Sequence, residues 1–167
     1  MSKEHPIIFS APMVRAILAG RKTMTRRVVN FGDSLEPLPL VEYARDGMPI
    51  WWGKSPSNNI RRSDYYDHGM PSPYGKVGDR LWVRETFGEG YDNGVGGYSA
   101  LRPTGHTSPD KYFYKADGWD ESQGRHQWKP SIHMPRVACR ILLKITEVRT
   151  ERLNDISVKD IIAEGAV

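Results

Sequence analysis

Cysteine is almost missing from this chain. Cys139 is the only one, so no disulfide can form within it, and a disulfide-stapled secreted scaffold is excluded. Long apolar runs are missing too. Nothing approaches the ~20 residues that a membrane-spanning helix needs, and the opening Met1-Ser2-Lys3-Glu4-His5-Pro6 lacks the apolar stretch of a signal peptide. The expectation is a soluble cytoplasmic protein with no membrane partner. Apolar residues are scarce for 167 residues, at 38% with a mean hydropathy of −0.58, so the core should be modest. The histidines His5, His68, His106, His126 and His133 show no zinc-ligand spacing to one another or to Cys139. No metal and no cofactor is expected. Gly94-Val95-Gly96-Gly97 is not a phosphate loop, because neither a Lys-Ser pair nor a helical pattern follows it.

Acidic residues are absent from one stretch in particular. Between His5 and Gly32 there are none, while Arg15, Arg21, Lys22, Arg26 and Arg27 all fall there. The whole chain has a formal net charge of +4 and a pI of about 9.2. A mild basic excess concentrated in one segment fits a polyanionic partner. A solvated basic surface is the plainer alternative.

Glycine (16) and proline (12) are plentiful, which argues for turns and long loops rather than a helical bundle. Ile7-Ile8-Phe9 reads as a short buried strand. Ser10 offers a helix N-cap, Pro12 suits a first turn, and Met13, Val14, Ile17 and Leu18 repeat at helical spacing before Gly20 stops the run. A helix over 11–19 is predicted. Residues 31–75 look like an insertion with little periodicity, although Trp51-Trp52 could sit in a short strand. Gly78-Asp79 feeds Arg80-Leu81-Trp82-Val83-Arg84, whose alternation is that of a half-buried strand. Residues 88–126 form a second insertion, glycine-rich and irregular to 110, with a strand from Lys111 to Ala116 and further turns after it. Arg140 to Arg149 is the clearest strand by β-branched content. Ser157, with Asp160 three residues on, caps a short helix over 158–164. The pattern predicts a single α+β domain over 1–167, a small mixed barrel with short helices.

Several of these residues carry a resemblance. The strand and short helix followed by Leu18-Ala19-Gly20-Arg21-Lys22-Thr23-Met24-Thr25 are similar to the Gly-x-Lys-x-x-Thr segment of the ASCH family. Val77-Gly78-Asp79-Arg80-Leu81-Trp82-Val83-Arg84-Glu85 resembles that family's Gly-Asp turn entering a barrel strand. Trp128 to Arg136 and the strand after it resemble a subgroup met in phage and prophage genomes. The helix from Asp155 to Gly165 resembles the family helix that ends in an acidic residue. The pieces lie in family order and cover roughly half the chain. The resemblance implies a PUA-like β-barrel, RNA or a modified nucleoside as partner, and in some members an amidohydrolase acting on N4-acetylcytidine. The working residues it implies are Lys22, Thr25 and Glu164. The chain stops at Val167, where the family continues into a closing strand, so the barrel is expected to lack that strand or to be completed by a second copy in a homo-oligomer.

The chemistry follows from those residue types. Amide hydrolysis needs a nucleophile, a base that activates it and an acid for the leaving amine. Thr25 would attack, Lys22 would take its proton, and Glu164 would pass a proton to the leaving nitrogen. Arg21, Arg26 and Arg27 would push the Lys22 pKa down, since like charges disfavour the charged form. They would also serve as phosphate contacts. Against this, a lysine after a helix can simply bond the last carbonyls. If Trp82 and Arg84 share one face of their strand, Val83 and Glu85 share the other, so Arg84 or Glu85 is expected in the cleft. An ordinary surface pair is the alternative. Trp51, Trp52, Trp82, Tyr112 and Tyr114 are expected mainly in the core, with base stacking as the other use. Three functions are compatible with this set: an RNA- or nucleoside-binding module, an amidohydrolase, and a phage-encoded protein-interaction module.

Overall fold

The computed structural model describes residues 2–28, 36–44, 47–54, 70–94, 98–100, 104–105, 108–118, 127–149 and 151–165. The side chains of Trp51 and Trp52, and His68, His106, His126, Val95 to Gly97 and Val167, lie outside the described residues. The fold is α+β. Among the described residues the strands are β1 (Glu4–Ile8), β2 (Glu36–Tyr43), β3 (Pro49–Lys54), β4 (Met70–Pro71), β5 (Arg80–Arg84), β6 (Phe87–Asp92), β7 (Tyr98–Ser99), β8 (Lys111–Tyr114) and β9 (Leu142–Lys144). Among the described residues they are accompanied by the α-helices α1 (Ala11–Leu18) and α2 (Val158–Ala163). The strands form three three-stranded sheets, ordered β1-β5-β9, β2-β3-β4 and β7-β6-β8. Among the described residues no sheet closes on itself. No helix there is long and apolar enough to cross a membrane.

By compactness the chain divides into two units. One comprises residues 1–5, 24–81 and 143–167, and the other 6–23 and 82–142. In the first, the backbone of Arg80 bonds Lys3, and that of Ile145 bonds Asp79. Gly78, at φ +93, turns the chain into β5, a backbone conformation that glycine adopts without a steric penalty. Asp79 behind it is 2% exposed. Its carboxylate accepts the backbone N–H of Lys3 (2.8 Å) and of Lys76 (3.2 Å), and lies 3.4 Å from His5 Nε2. A Cβ on Gly75 would fall 2.6 Å from the His5 ring and 2.8 Å from the Asp79 carboxylate. The same unit holds a sheet in the stretch expected to be irregular. β2 pairs antiparallel with β3, with a register irregularity between Pro37 and Val41, and β3 pairs with β4. Pro37 and Pro39 read as loop signals, but β2 is an edge strand, where proline is tolerated, and Pro39 falls within the irregularity of its register.

The second unit buries Ile7, Phe9, Val14, Ala16, Val83, Phe87, Phe113, Ala116, Met134 and Ala138. Helix α1 begins where Ser10 and Pro12 place it, with Ser10 extended at the N-cap position and making no side-chain cap bond. Gly20, at φ +70, ends it, and the backbone N–H groups of Arg21 and Lys22 both donate to the Ala16 carbonyl. β6 and β7 replace the predicted irregular run. Gly90 stands in β6 because the Phe113 ring lies over it: a Cβ there would sit 2.4 Å from Phe113 Cε2. β8 gives way after Tyr114 to a 3-10 turn over Lys115–Asp117. The strand expected over 140–149 shortens to β9. Ile141 and Ile145 are buried. Pairing runs only from Val83–Ile141 to Asp79–Ile145, because the partner strand turns away at Gly78.

Candidate functional site

The segment Arg21–Arg27 leaves helix α1 on the two bonds to Ala16. Lys22 is buried at 6% exposure, with Nζ 5.7 Å from the centre of the Phe9 ring. Arg21 and Arg27 are exposed, and Thr25 is half-buried. The backbone N–H of Phe9 bonds the Arg84 carbonyl, so Phe9 links the neighbourhood of Lys22 to the end of β5.

Glu85 lies there. Alternation along β5 sends Val83 and Glu85 to the buried face, each 1% exposed, while Trp82 and Arg84 share the half-buried opposite face. A buried carboxylate is costly unless its charge is met, and Arg140 meets it with a fork. Arg140 Nε donates to Glu85 Oε1 (2.8 Å) and Nη2 to Oε2 (2.9 Å). The guanidinium lies 3.9 Å from the Tyr114 ring centre, and its Nη1 reaches Asp117. Tyr114 donates its hydroxyl to the Ala138 carbonyl, and burial pushes its pKa up. The Glu85 backbone N–H points at Met134 Sδ (3.1 Å). In the sequence Arg140 marks only the start of an apolar strand. Its role depends on a partner 55 residues away, and no local pattern marks it.

In the other unit, Arg26 does not stand as an uncompensated cation. Its guanidinium is 2.7 Å from Glu151, 3.2 Å from Asp160 and 3.5 Å from Glu164. Arg149 adds contacts to Glu151 (2.7 Å) and Asp160 (2.8 Å). The bond to Glu151 comes first in raising the Arg26 pKa. The stretch around Arg26 lacks acids in sequence, and the acids arrive from the C-terminal region. Glu164 is the C-cap of α2. The Met24 backbone N–H donates to the Ala163 carbonyl (3.0 Å), so the residues flanking Thr25 dock at the end of the helix that bears Glu164. Asp160 closes the predicted capping box with Ser157, and its pKa is lowered to about 2, first by the Ser157 hydroxyl and then by Arg149.

Arg84 has a different setting. Its Nη2 donates to the Ile132 carbonyl, and its guanidinium lies 5.3 Å from the Trp82 ring centre, with that of Arg136 at 6.0 Å. Trp82, expected mainly in the core, is thus half-buried beneath two cations. Tyr112 and Tyr114 do pack on the buried Phe87–Met134–Ala138 cluster, with Cys139 beside them. Among the described residues no group of three or more His, Cys, Asp or Glu side chains converges where a cation could sit. No family model matches the chain, and neither a curated protein nor a solved structure matches it.

Proposed function

We propose that this protein binds RNA or a modified nucleoside through the segment Arg21–Arg27, in a PUA-like fold of the ASCH type. The observation that carries the reading is the burial of Lys22 at 6% exposure, in a segment whose Arg21 and Arg27 stand in solvent. Taking an ammonium group out of water is costly, so a lysine buried beside exposed arginines singles this segment out. Arg21 and Arg27 then supply the phosphate contacts. The test is binding of a labelled single-stranded RNA across a salt series. Each phosphate contact contributes about −0.7 to the slope of log K against log salt for a single strand. Binding that weakens with salt in the wild type, and weakens further in Lys22→Ala, supports the reading. Binding indifferent to salt removes it.

A second reading is favoured by the Met24–Ala163 bond, which brings the Thr25 segment to the helix end carrying Glu164. It is an amidohydrolase acting on N4-acetylcytidine or a related acylated base, with Thr25 as nucleophile, Lys22 as base and Glu164 as proton shuttle. Turnover of N4-acetylcytidine by the wild type, lost in both Lys22→Ala and Thr25→Ala, would establish it. Unchanged turnover in Thr25→Ala takes Thr25 out of that role.

A further inference from the structure

We infer that the face formed by Trp82, Arg84 and Arg136 is a docking site for the phosphodiester backbone of single-stranded RNA; this rests on the RNA-binding reading and assigns it a second contact surface. The face is built by two local rules. Alternation in β5 puts Trp82 and Arg84 on the same side. The chain that crosses it makes two 3-10 turns, Ser131–His133 and Arg136–Ala138. Met134 and Ala138 point into the core, while Ile132, His133, Arg136 and Val137 are exposed.

The charge pattern points to an anion. The guanidiniums of Arg26, Arg140 and Arg149 each contact at least two carboxylates. Arg84 is half-buried, yet among the described residues no carboxylate pairs with it. One of its N–H groups goes to the Ile132 carbonyl, and its Nε is buried without a hydrogen-bond partner. A cation withdrawn from water and left without a counter-charge is the arrangement that an incoming anion stabilises. The Ile132 bond and the indole fix the plane of the guanidinium in advance, so little side-chain freedom is lost on binding. Arg136 brings a second cation to the same ring. Two guanidiniums on one indole suit the repeated charges and π-faces of a single strand better than an isolated carboxylate.

The experiment measures affinity and salt slope for a fluorescein-labelled oligouridine, with the wild type, Arg136→Ala, Arg84→Lys and Lys22→Ala compared, and thermal melts run on each. The melts separate a loss of binding from a loss of fold in each variant. Binding by Arg136→Ala should fall about tenfold and its salt slope should shrink by about 0.7, one phosphate contact. Arg84→Lys keeps the charge and loses the fork, and should also weaken binding. Wild-type affinity and slope in both variants, with Lys22→Ala weakened, would overturn this assignment while leaving the Lys22 reading standing. Failure of the wild type to bind RNA would overturn both. Competition by polyglutamate as effective as by unlabelled RNA would identify an acidic peptide as the occupant and overturn the assignment.

Discussion

Substituting Arg140 by methionine tests the most consequential buried contact in the second unit. Glu85 is 1% exposed, and both oxygens of its carboxylate accept from one guanidinium, at 2.8 and 2.9 Å. The Arg140 side chain is 25% exposed, so the two halves of the pair are not equivalent. Removing the arginine strands a carboxylate that water does not reach. Removing the carboxylate leaves a guanidinium that still has Asp117 and solvent. Breaking a buried pair by deleting one partner costs about 3–5 kcal/mol, and Arg140→Met falls in that range, because methionine keeps part of the aliphatic contact with Tyr114. The Asp117 contact is more exposed and adds little. For a chain of this length, each kcal/mol shifts Tm by roughly 2–4 °C, so a fall of about 6–20 °C is expected. Glu85→Gln should cost less, about 1–3 kcal/mol, as a hydrogen-bond change at a charged group. The double variant Glu85→Gln/Arg140→Met should recover part of the Arg140→Met loss, because its buried group is neutral. Urea melts at neutral pH measure all four proteins in one cycle. An Arg140→Met loss under about 1 kcal/mol, below the buried-pair range, or a double variant no more stable than Arg140→Met, would refute a desolvated Glu85.

Asp79 predicts a pH dependence. The Lys3 backbone N–H, then that of Lys76 and the His5 ring, hold its pKa below the ordinary carboxylate value. Its stabilising contribution is therefore complete above the unfolded pKa of about 3.9 and is lost as pH falls through the lower folded value. Asp79→Asn should cost about 1–3 kcal/mol at neutral pH, since its amide faces donors, and should flatten the acid limb of a stability–pH curve. An unchanged acid limb would count against the Asp79 hub. Gly90→Ala should destabilise by about 1–3 kcal/mol through overpacking, since the new methyl meets the Phe113 ring at 2.4 Å. A Gly90→Ala variant that melts in urea like the wild type would refute the packing argument. Ser157→Ala removes the hydrogen bond that comes first in lowering Asp160 to about 2. An NMR titration should find that carboxyl moved up toward ~3.9, and an unmoved value would remove the capping box as its cause.

Local chemistry alone determined a good part of this protein. The helix start at Ser10–Pro12, its stop at Gly20, the alternation of β5 and the capping box of Ser157 and Asp160 involve groups within a few residues of one another, so their spacing in the chain is their spacing in space. The placement of Lys22 and Thr25 directly after a helix is legible for the same reason. What the chain does with its charges was not legible. Glu85 finds Arg140 across 55 residues and Arg26 finds Glu151 across 125. No spacing rule reaches that far, so Arg26 read as a free cation and Arg140 as a strand residue. Strand extent failed likewise. Residues 140–149 have the β-branched content for a ten-residue strand, but β9 takes only the length its partner offers before Gly78. β2 has two prolines, which an edge strand with an irregular register tolerates, and Gly90 of β6 leaves the space that the Phe113 ring occupies. The sequence determined which segments could become helix or strand. The tertiary structure decided which strands found a partner and which charges found a counter-charge, because pairing and desolvation depend on groups that meet only once the chain is folded.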